Sequence, residues 1–149
     1  MNFLIDNNLP PALARALNEL CKADGHAVVP LRDKFPMSTP DVHWIAALAA
    51  EGGWAVISQD KFTKGDVERR AFRESGIPIF CLAKQWGQED YWKKAHNLVR
   101  WWPAILKQSS LISGGAAFKV SWRFTELGSS SRSEYEPRTA GLFVSAFLN

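Results

Sequence analysis

The chain contains no apolar run that approaches the ~20 residues needed to cross a bilayer. It begins MNFLIDNN, with neither a basic leader nor an unbroken apolar core, so we expect these residues to be structural rather than a secretion signal. It has two cysteines, Cys21 and Cys81, too far apart for a CxxC motif. Its three histidines, His26, His43 and His96, form neither HxxxH nor HExxH. These absences argue against a membrane span, a disulfide scaffold and a zinc site, and two apolar free thiols favour a cytoplasmic protein.

What is present is a globular composition with an uneven distribution of charge. Hydrophobic residues make up 46% of the 149 positions, enough for one domain with a buried core. Residues 1–60 contain seven acidic and four basic side chains, whereas residues 61–149 contain eight acidic and fourteen basic ones. This asymmetry suits an anionic partner held near a metal-binding cluster, although ordinary surface solubility explains it equally well.

Short apolar runs alternate with amphipathic segments through most of the chain. The strand predictions are residues 1–5, 26–31, 54–58 and 77–82, and the helix predictions are residues 10–24, 40–51, 64–75 and 88–107. Pro103 is expected to kink or break the last helix. This order predicts an α/β fold with three α/β/α layers around a central, mostly parallel sheet.

The C-terminal part follows a different pattern. Apolar and polar residues alternate from Phe118 to Phe124, which predicts an edge strand. We therefore assign residues 1–125 to one domain and residues 126–149 to a C-terminal extension of unassigned structure. The apolar end of that extension is compatible with a strand or with a swapped segment.

Three acidic residues are expected at the carboxyl edge of the sheet, where ligands bind in open parallel sheets. Asp6 ends the first predicted strand, Asp60 ends the third, and Asp41 begins the helix after the second. Converging carboxylates repel each other unless they share a cation, and oxygen ligands favour Mg²⁺ or Mn²⁺. Each residue alone is a weak signal, because Asp is a good turn former and also suits a helix N-terminus.

Three segments resemble the PIN-like family of small prokaryotic proteins over about residues 1–82. They are FLIDNNLPPALARAL, GHAVVPLRD and TPDVHWIAALAAEGGWAVISQDKF, and GIPIFCL fits the next strand of the family. The resemblance implies a PIN-like fold and a metal-dependent endoribonuclease, often the toxin of a type II toxin–antitoxin pair. It places Asp6, Asp41 and Asp60 on the acidic positions that hold one or two Mg²⁺ or Mn²⁺ ions and position a water molecule for attack.

The sequence departs from the family pattern at two of these positions. Asn7 follows Asp6 where many relatives carry a second acid, and a lysine follows Asp60 where a further aspartate is frequent. The identity of a fourth metal ligand is therefore open, and Asp66 and Glu68 are the candidates.

Four residues near these acids are expected to contact the RNA substrate. Lys61 and Lys64 would bind phosphates, and Asn7 and Ser58 complete the set. Ser58 lies two residues before Asp60, where it is suited to steady a carboxylate or a phosphate. The arginines of the following helix are equally explained by ion pairs on a solvated face.

Tryptophan is abundant, with seven residues in the chain. Trp101 and Trp102 follow Arg100, and at least one of an adjacent pair is expected to face away from the core. We favour a protein contact there over base stacking. The expected partners are therefore an RNA substrate, a cognate antitoxin protein and a second copy of the chain as a homodimer.

Two other functions remain compatible with the sequence. A receiver-like signalling domain would use Asp60 as its phosphoryl acceptor and Lys84 as the lysine that such domains carry after a later strand. A catalytically silent binding module on the PIN-like fold is the other alternative, because Asn7 replaces a second acid.

Overall fold

The chain folds around one six-stranded sheet in a computed structural model that describes residues 1–59, 66–112, 114–124 and 142–144. The strands are β1 (Asn2–Ile5), β2 (Ala27–Pro30), β3 (Trp54–Ser58), β4 (Ile79–Leu82), β5 (Ala117–Val120) and β6 (Leu142–Val144). The helices are α1 (Pro11–Cys21), α2 (Leu31–Lys34), α3 (Asp41–Glu51), α4 (Asp66–Ser75) and α5 (Tyr91–Leu111). Two 3₁₀ turns cover Lys22–Asp24 and Lys84–Gln88.

The strands lie in the order β2-β1-β3-β4-β5-β6. The first five are parallel, and β6 pairs antiparallel with β5. One buried cluster joins a face of the sheet to α1 and α5, and a second joins the other face to α2, α3 and α4. The predicted three-layer α/β/α fold with a mostly parallel sheet is therefore confirmed.

The central strands are largely apolar because both of their faces are covered. Side chains alternate across a strand, so Phe3 and Ile5 of β1 enter the cluster on the α1 side while Leu4 enters the other. All five residues of β3 are buried. The last residues of the five parallel strands form the carboxyl edge of the sheet.

The predicted edge strand near Phe118 is wrong in two respects. β5 lies inside the sheet, between β4 and β6, and it ends at Val120. Trp122 and Phe124 leave the sheet and pack their rings against Trp86 and Trp101, with centroid separations of 4.9 and 4.8 Å. Residues 142–144 of the C-terminal extension pair with β5, while the domain boundary at residue 125 stays a prediction.

Helix α5 continues through Pro103 to Leu111, so the predicted break does not occur. Pro103 is on the exposed side, and Trp101, Trp102 and Ile105 are buried on the other, so core packing holds both halves in line. The expectation that at least one tryptophan of the pair faces away from the core is wrong, because both are buried. In the ranges that the structure describes, no helix is long and apolar enough to cross a membrane.

Among the described residues, β2 is one of the two edge strands of the sheet, and neither of its outward positions offers a free N–H group. Ala27 N–H donates inward to Met1 O, so the Val28 N–H points away from β1 and donates to Asn18 Oδ1 of α1 at 2.9 Å. The next outward position is Pro30, which has no N–H. This edge is thus closed by a side chain and by an imino acid.

Candidate functional site

The chain reverses its direction of winding between β1 and β3. From β1 it passes through α1 to β2 on one side, then returns through α3 to β3 on the other side of β1. In open parallel sheets, ligands bind outside the carboxyl ends of the strands at such a switch point. Asp6 directly follows β1, and Ser58 is the last residue of β3. The Asp6 N–H donates to Ile57 O at 3.0 Å, so the two strands are still paired where the site begins.

The Asp6 carboxylate accepts hydrogen bonds at both of its oxygens. Ser58 Oγ donates to Asp6 Oδ2 at 2.6 Å, and Asn8 Nδ2 donates to the same oxygen at 3.3 Å. The Asn7 N–H donates to Asp6 Oδ1 at 2.6 Å. Ser58 is fully buried, whereas Asp6 is half-buried. These donors hold a negatively charged group in one orientation at the opening of the crevice.

Asn8 connects the two strand ends, and we did not single it out in the sequence. Its Nδ2 also donates to Ser58 Oγ at 3.1 Å, and its Oδ1 accepts from the Gln59 N–H at 3.1 Å. Ser58 can therefore donate to Asp6 while it accepts from Asn8. The available signal was an asparagine two residues after a strand-end aspartate, a position that is equally typical of an ordinary turn. We name Asp6, Asn8 and Ser58 the Asp6 site.

Asn7 and Asn8 are both exposed, but the Asn7 side chain makes no hydrogen bond within the described residues. Only its backbone N–H contacts Asp6. The substrate-binding roles of Asn7 and Ser58 stay predictions, because the contacts of both residues are internal to the protein.

Asp41 is the first residue of α3 and is half-buried. Trp44 Nε1, from a buried indole one turn later, donates to Asp41 Oδ1 at 3.0 Å. α3 ends just before β3 begins, so its N-terminus lies at the same carboxyl edge as Asp6. Within the described residues, no hydrogen bond joins Asp41 to the Asp6 site. A role for Asp41 as a metal ligand stays a prediction.

Asp60, Lys61 and Lys64 lie outside the described residues, so the expected ligand set is only partly described. The chain is anchored up to the residue before Asp60, because Ser58 and the Gln59 N–H both bond within the Asp6 site. Of the two other acids considered as a fourth ligand, Asp66 begins α4 and Glu68 is half-buried on it.

The described residues can be tested for their fit to a metal ion. They contain no group of three or more His, Cys, Asp or Glu side chains that could hold one. The donors available at the Asp6 site and at Asp41 are carboxylate, amide and hydroxyl oxygens, which suit Mg²⁺ or Mn²⁺. The donor chemistry therefore fits a hard divalent cation, provided that a further carboxylate joins Asp6.

A model of the PIN-like domain family matches residues 1–84 of the chain. This range contains β1 to β4, the Asp6 site and Asp41, whereas α5, β5 and β6 lie beyond it. The comparison with curated proteins found no match, and the comparison with solved structures found none either.

Proposed function

Since the chain belongs to the PIN-like domain family, whose members are generally nucleases, we propose that it is a metal-dependent endoribonuclease with Asp6 at its centre. The observation that carries the proposal is the Asp6 carboxylate, held at the β1/β3 switch point by Ser58 and Asn8. A carboxylate that is already oriented needs little reorganisation when it binds a ligand.

In this proposal Asp6, Asp41 and Asp60 bind the metal ion, and the chain's other groups position them. When bound, Mg²⁺ or Mn²⁺ supplies the Lewis-acid stabilisation of negative charge that hydrolysis of a phosphodiester requires. Ser58 keeps the Asp6 carboxylate in one orientation, and Asn8 keeps the ends of β1 and β3 together. Lys61 and Lys64 bind the phosphates of the RNA substrate.

We further propose that the ribonuclease is the toxin of a type II toxin–antitoxin pair in the cytoplasm. The resemblance to small prokaryotic PIN-like proteins supports this role. Its test is expression of the chain with and without the product of the adjacent gene. Growth arrest that needs Asp6 and is relieved by that product supports the role, and equal growth in both cases contradicts it.

The enzymatic proposal is tested by cleavage of labelled RNA with Mn²⁺ and with EDTA. We expect cleavage only with the metal, and we expect Asp6→Asn to reduce its rate by about 100-fold or more. The matched control is Asp24→Asn, which removes an exposed carboxylate from the 3₁₀ turn before β2, at the opposite edge of the sheet. Cleavage that persists in EDTA, or in purified Asp6→Asn, contradicts the proposal.

The same preparations separate the two alternatives. A silent binding module, favoured by Asn7, would retain RNA or protein binding without any Mn²⁺-dependent cleavage. A receiver-like domain would be labelled by acetyl phosphate, and Asp60→Asn would lose the label. The family match supports neither alternative over the nuclease.

A further inference from the structure

A cavity of about 650 Å³ lies between the first half of α5 and the segment that follows β5. Its walls are one face of α5 from Trp92 to Arg100 and residues 122–124. We name it the α5 groove. All of these residues lie beyond the part of the chain that the family model matches.

The α5 groove opens at the same edge of the sheet as the Asp6 site. Residues 122–124 follow the carboxyl end of β5, and α5 begins shortly after the carboxyl end of β4. β5 lies three strands from β1, which is about 14 Å at the usual spacing of strands. Roughly four stacked nucleotides, at ~3.4 Å each, cover that distance.

The charge that lines the groove has one sign. Its charged side chains are those of Lys93, Arg100 and Arg123, and no acidic side chain lines it in the described part of the chain. Lys93 is already paired with Glu89 and Asp90. Arg100 and Arg123 form no ion pair within the described residues, so two guanidinium groups are available to an anionic ligand.

Aromatic rings stand beside these cations. Trp92 is 78% exposed on α5, an unusual position for an indole in a folded protein. Trp122 is half-buried against Trp86, and Phe124 lies 4.7 Å from the Arg100 guanidinium carbon. Aromatic faces combined with arginine are the usual means by which proteins bind unpaired bases and their backbone.

A buried polar contact fixes the two walls of the groove. Asn97 of α5 is 8% exposed, and its Nδ2 donates to Trp122 O at 2.7 Å. The segment after β5 is therefore held at a set distance from α5 before any ligand binds. Preformed walls reduce the entropy lost on binding.

We infer that the α5 groove is a binding site for single-stranded RNA. A base stacks on Trp92 or Trp122 while Arg100 and Arg123 bind the adjoining phosphates. The inference rests on the proposed ribonuclease for its choice of RNA, and it adds a subsite outside the family-matched region. Duplex RNA does not fit this description, because its bases are not free to stack on a side chain.

The test measures RNA binding in EDTA, so that cleavage does not contribute. The groove variant is Trp92→Ala with Arg100→Ala, and the matched control is Leu111→Ala with Lys107→Ala. Each pair removes one exposed apolar side chain and one positive charge from α5, but the control pair lies at its other end. The probe is a fluorescein-labelled single-stranded RNA of about 12 nucleotides, followed by anisotropy.

We expect the groove variant to raise the Kd at least ~10-fold, while the control stays within about twofold of wild type. The duplex form of the same RNA should not distinguish the two variants. Circular dichroism checks that both are folded. If the groove variant is not, the exposed single changes Trp92→Ala and Arg123→Ala replace it, with a Kd increase of at least ~5-fold expected for each.

Equal affinity of the groove and control variants for single-stranded RNA overturns the inference. The inference is also overturned if the wild type binds no RNA but forms a dimer, and the groove variant does not form that dimer. The groove would then be a contact between protein molecules. Binding without Mn²⁺-dependent cleavage leaves the groove standing and contradicts only the ribonuclease. If the wild type cleaves RNA but its RNA affinity does not depend on the groove residues, only the groove inference is contradicted.

Discussion

The Ser58 hydroxyl donates a hydrogen bond of 2.6 Å to Asp6 Oδ2, across the boundary between β3 and β1. The contact depends on the strand register, in which Ile5 pairs with Ile57 and so brings the next residue of each strand together. A shift of one residue would turn Ser58 to the other face of the sheet. The geometry of the site therefore follows from the packing of β1 and β3.

Ser58→Ala should reduce RNA cleavage by about 10-fold, because Asp6 loses the donor that orients it. The matched control is Ser109→Ala. Ser109 is also buried, but its Oγ donates to Leu106 O within α5. Both changes should lower the free energy of unfolding by about 1 kcal/mol. Cleavage rates and urea unfolding measure these effects, and equal cleavage by the two variants would contradict the role given to Ser58.

Asn8→Ala should lower the free energy of unfolding by about 1 kcal/mol, because it removes the bonds between Asn8 and both Ser58 and Gln59. Asn7→Ala is the control for stability, since its side chain makes no such bond, and it should change the free energy by less than about 0.5 kcal/mol. Thermal and urea unfolding measure both. A larger loss in Asn7→Ala than in Asn8→Ala would argue against the Asn8 link.

Trp86→Phe should destabilise the protein by about 1 kcal/mol more than Trp101→Phe. Both indoles are fully buried, but Trp86 Nε1 donates to Val120 O at 3.1 Å, whereas Trp101 Nε1 has no hydrogen-bond partner among the described residues. Val120 O keeps a second bond from the Ala83 N–H, which limits the difference. Urea unfolding of the two variants measures it, and a reversed order would be inconsistent with these contacts.

Asp90 caps the N-terminus of α5. Its pKa is lowered below the ordinary 3.8, mainly by the hydrogen bond from the Lys93 N–H and next by the hydrogen bond from the Lys93 side chain. A lowered pKa in the folded state means that the ionised cap stabilises the protein above pH 3.8, and that this contribution is lost as the pH falls through the lower folded value. Asp90→Asn keeps a capping oxygen but does not titrate. The difference in Tm between wild type and Asp90→Asn should therefore shrink on acidification. A difference that grows instead would contradict the sign.

The sequence predicted the parallel core of the fold because periodicity and burial agree there. β3 begins at Trp54 and ends at Ser58, as the sequence predicted, since both of its faces are covered. The placement of Asp6 followed from the same rule, because the residue after a buried strand must emerge at the edge of the sheet.

The features that sequence reasoning missed depend on contacts between distant segments. Trp101 and Trp102 are both buried because Phe124 and Phe3 cover their two sides, and no local pattern contains that information. β5 is an interior strand only because residues 142–144 return to it. Asn8 is a link between strands only because Gln59 and Ser58 lie opposite it.

The closed edge at β2 limits how two copies of this chain can associate. A continuous sheet running from one molecule into the next would need outward N–H donors from Val28 and from position 30. Asn18 occupies the first, and Pro30 lacks the second. A dimer formed by joining two sheets at β2 would have to break the hydrogen bond between Val28 and Asn18. It would still lack one backbone hydrogen bond between the strands, at Pro30. The protein is therefore protected from edge-to-edge polymerisation on this side of the sheet.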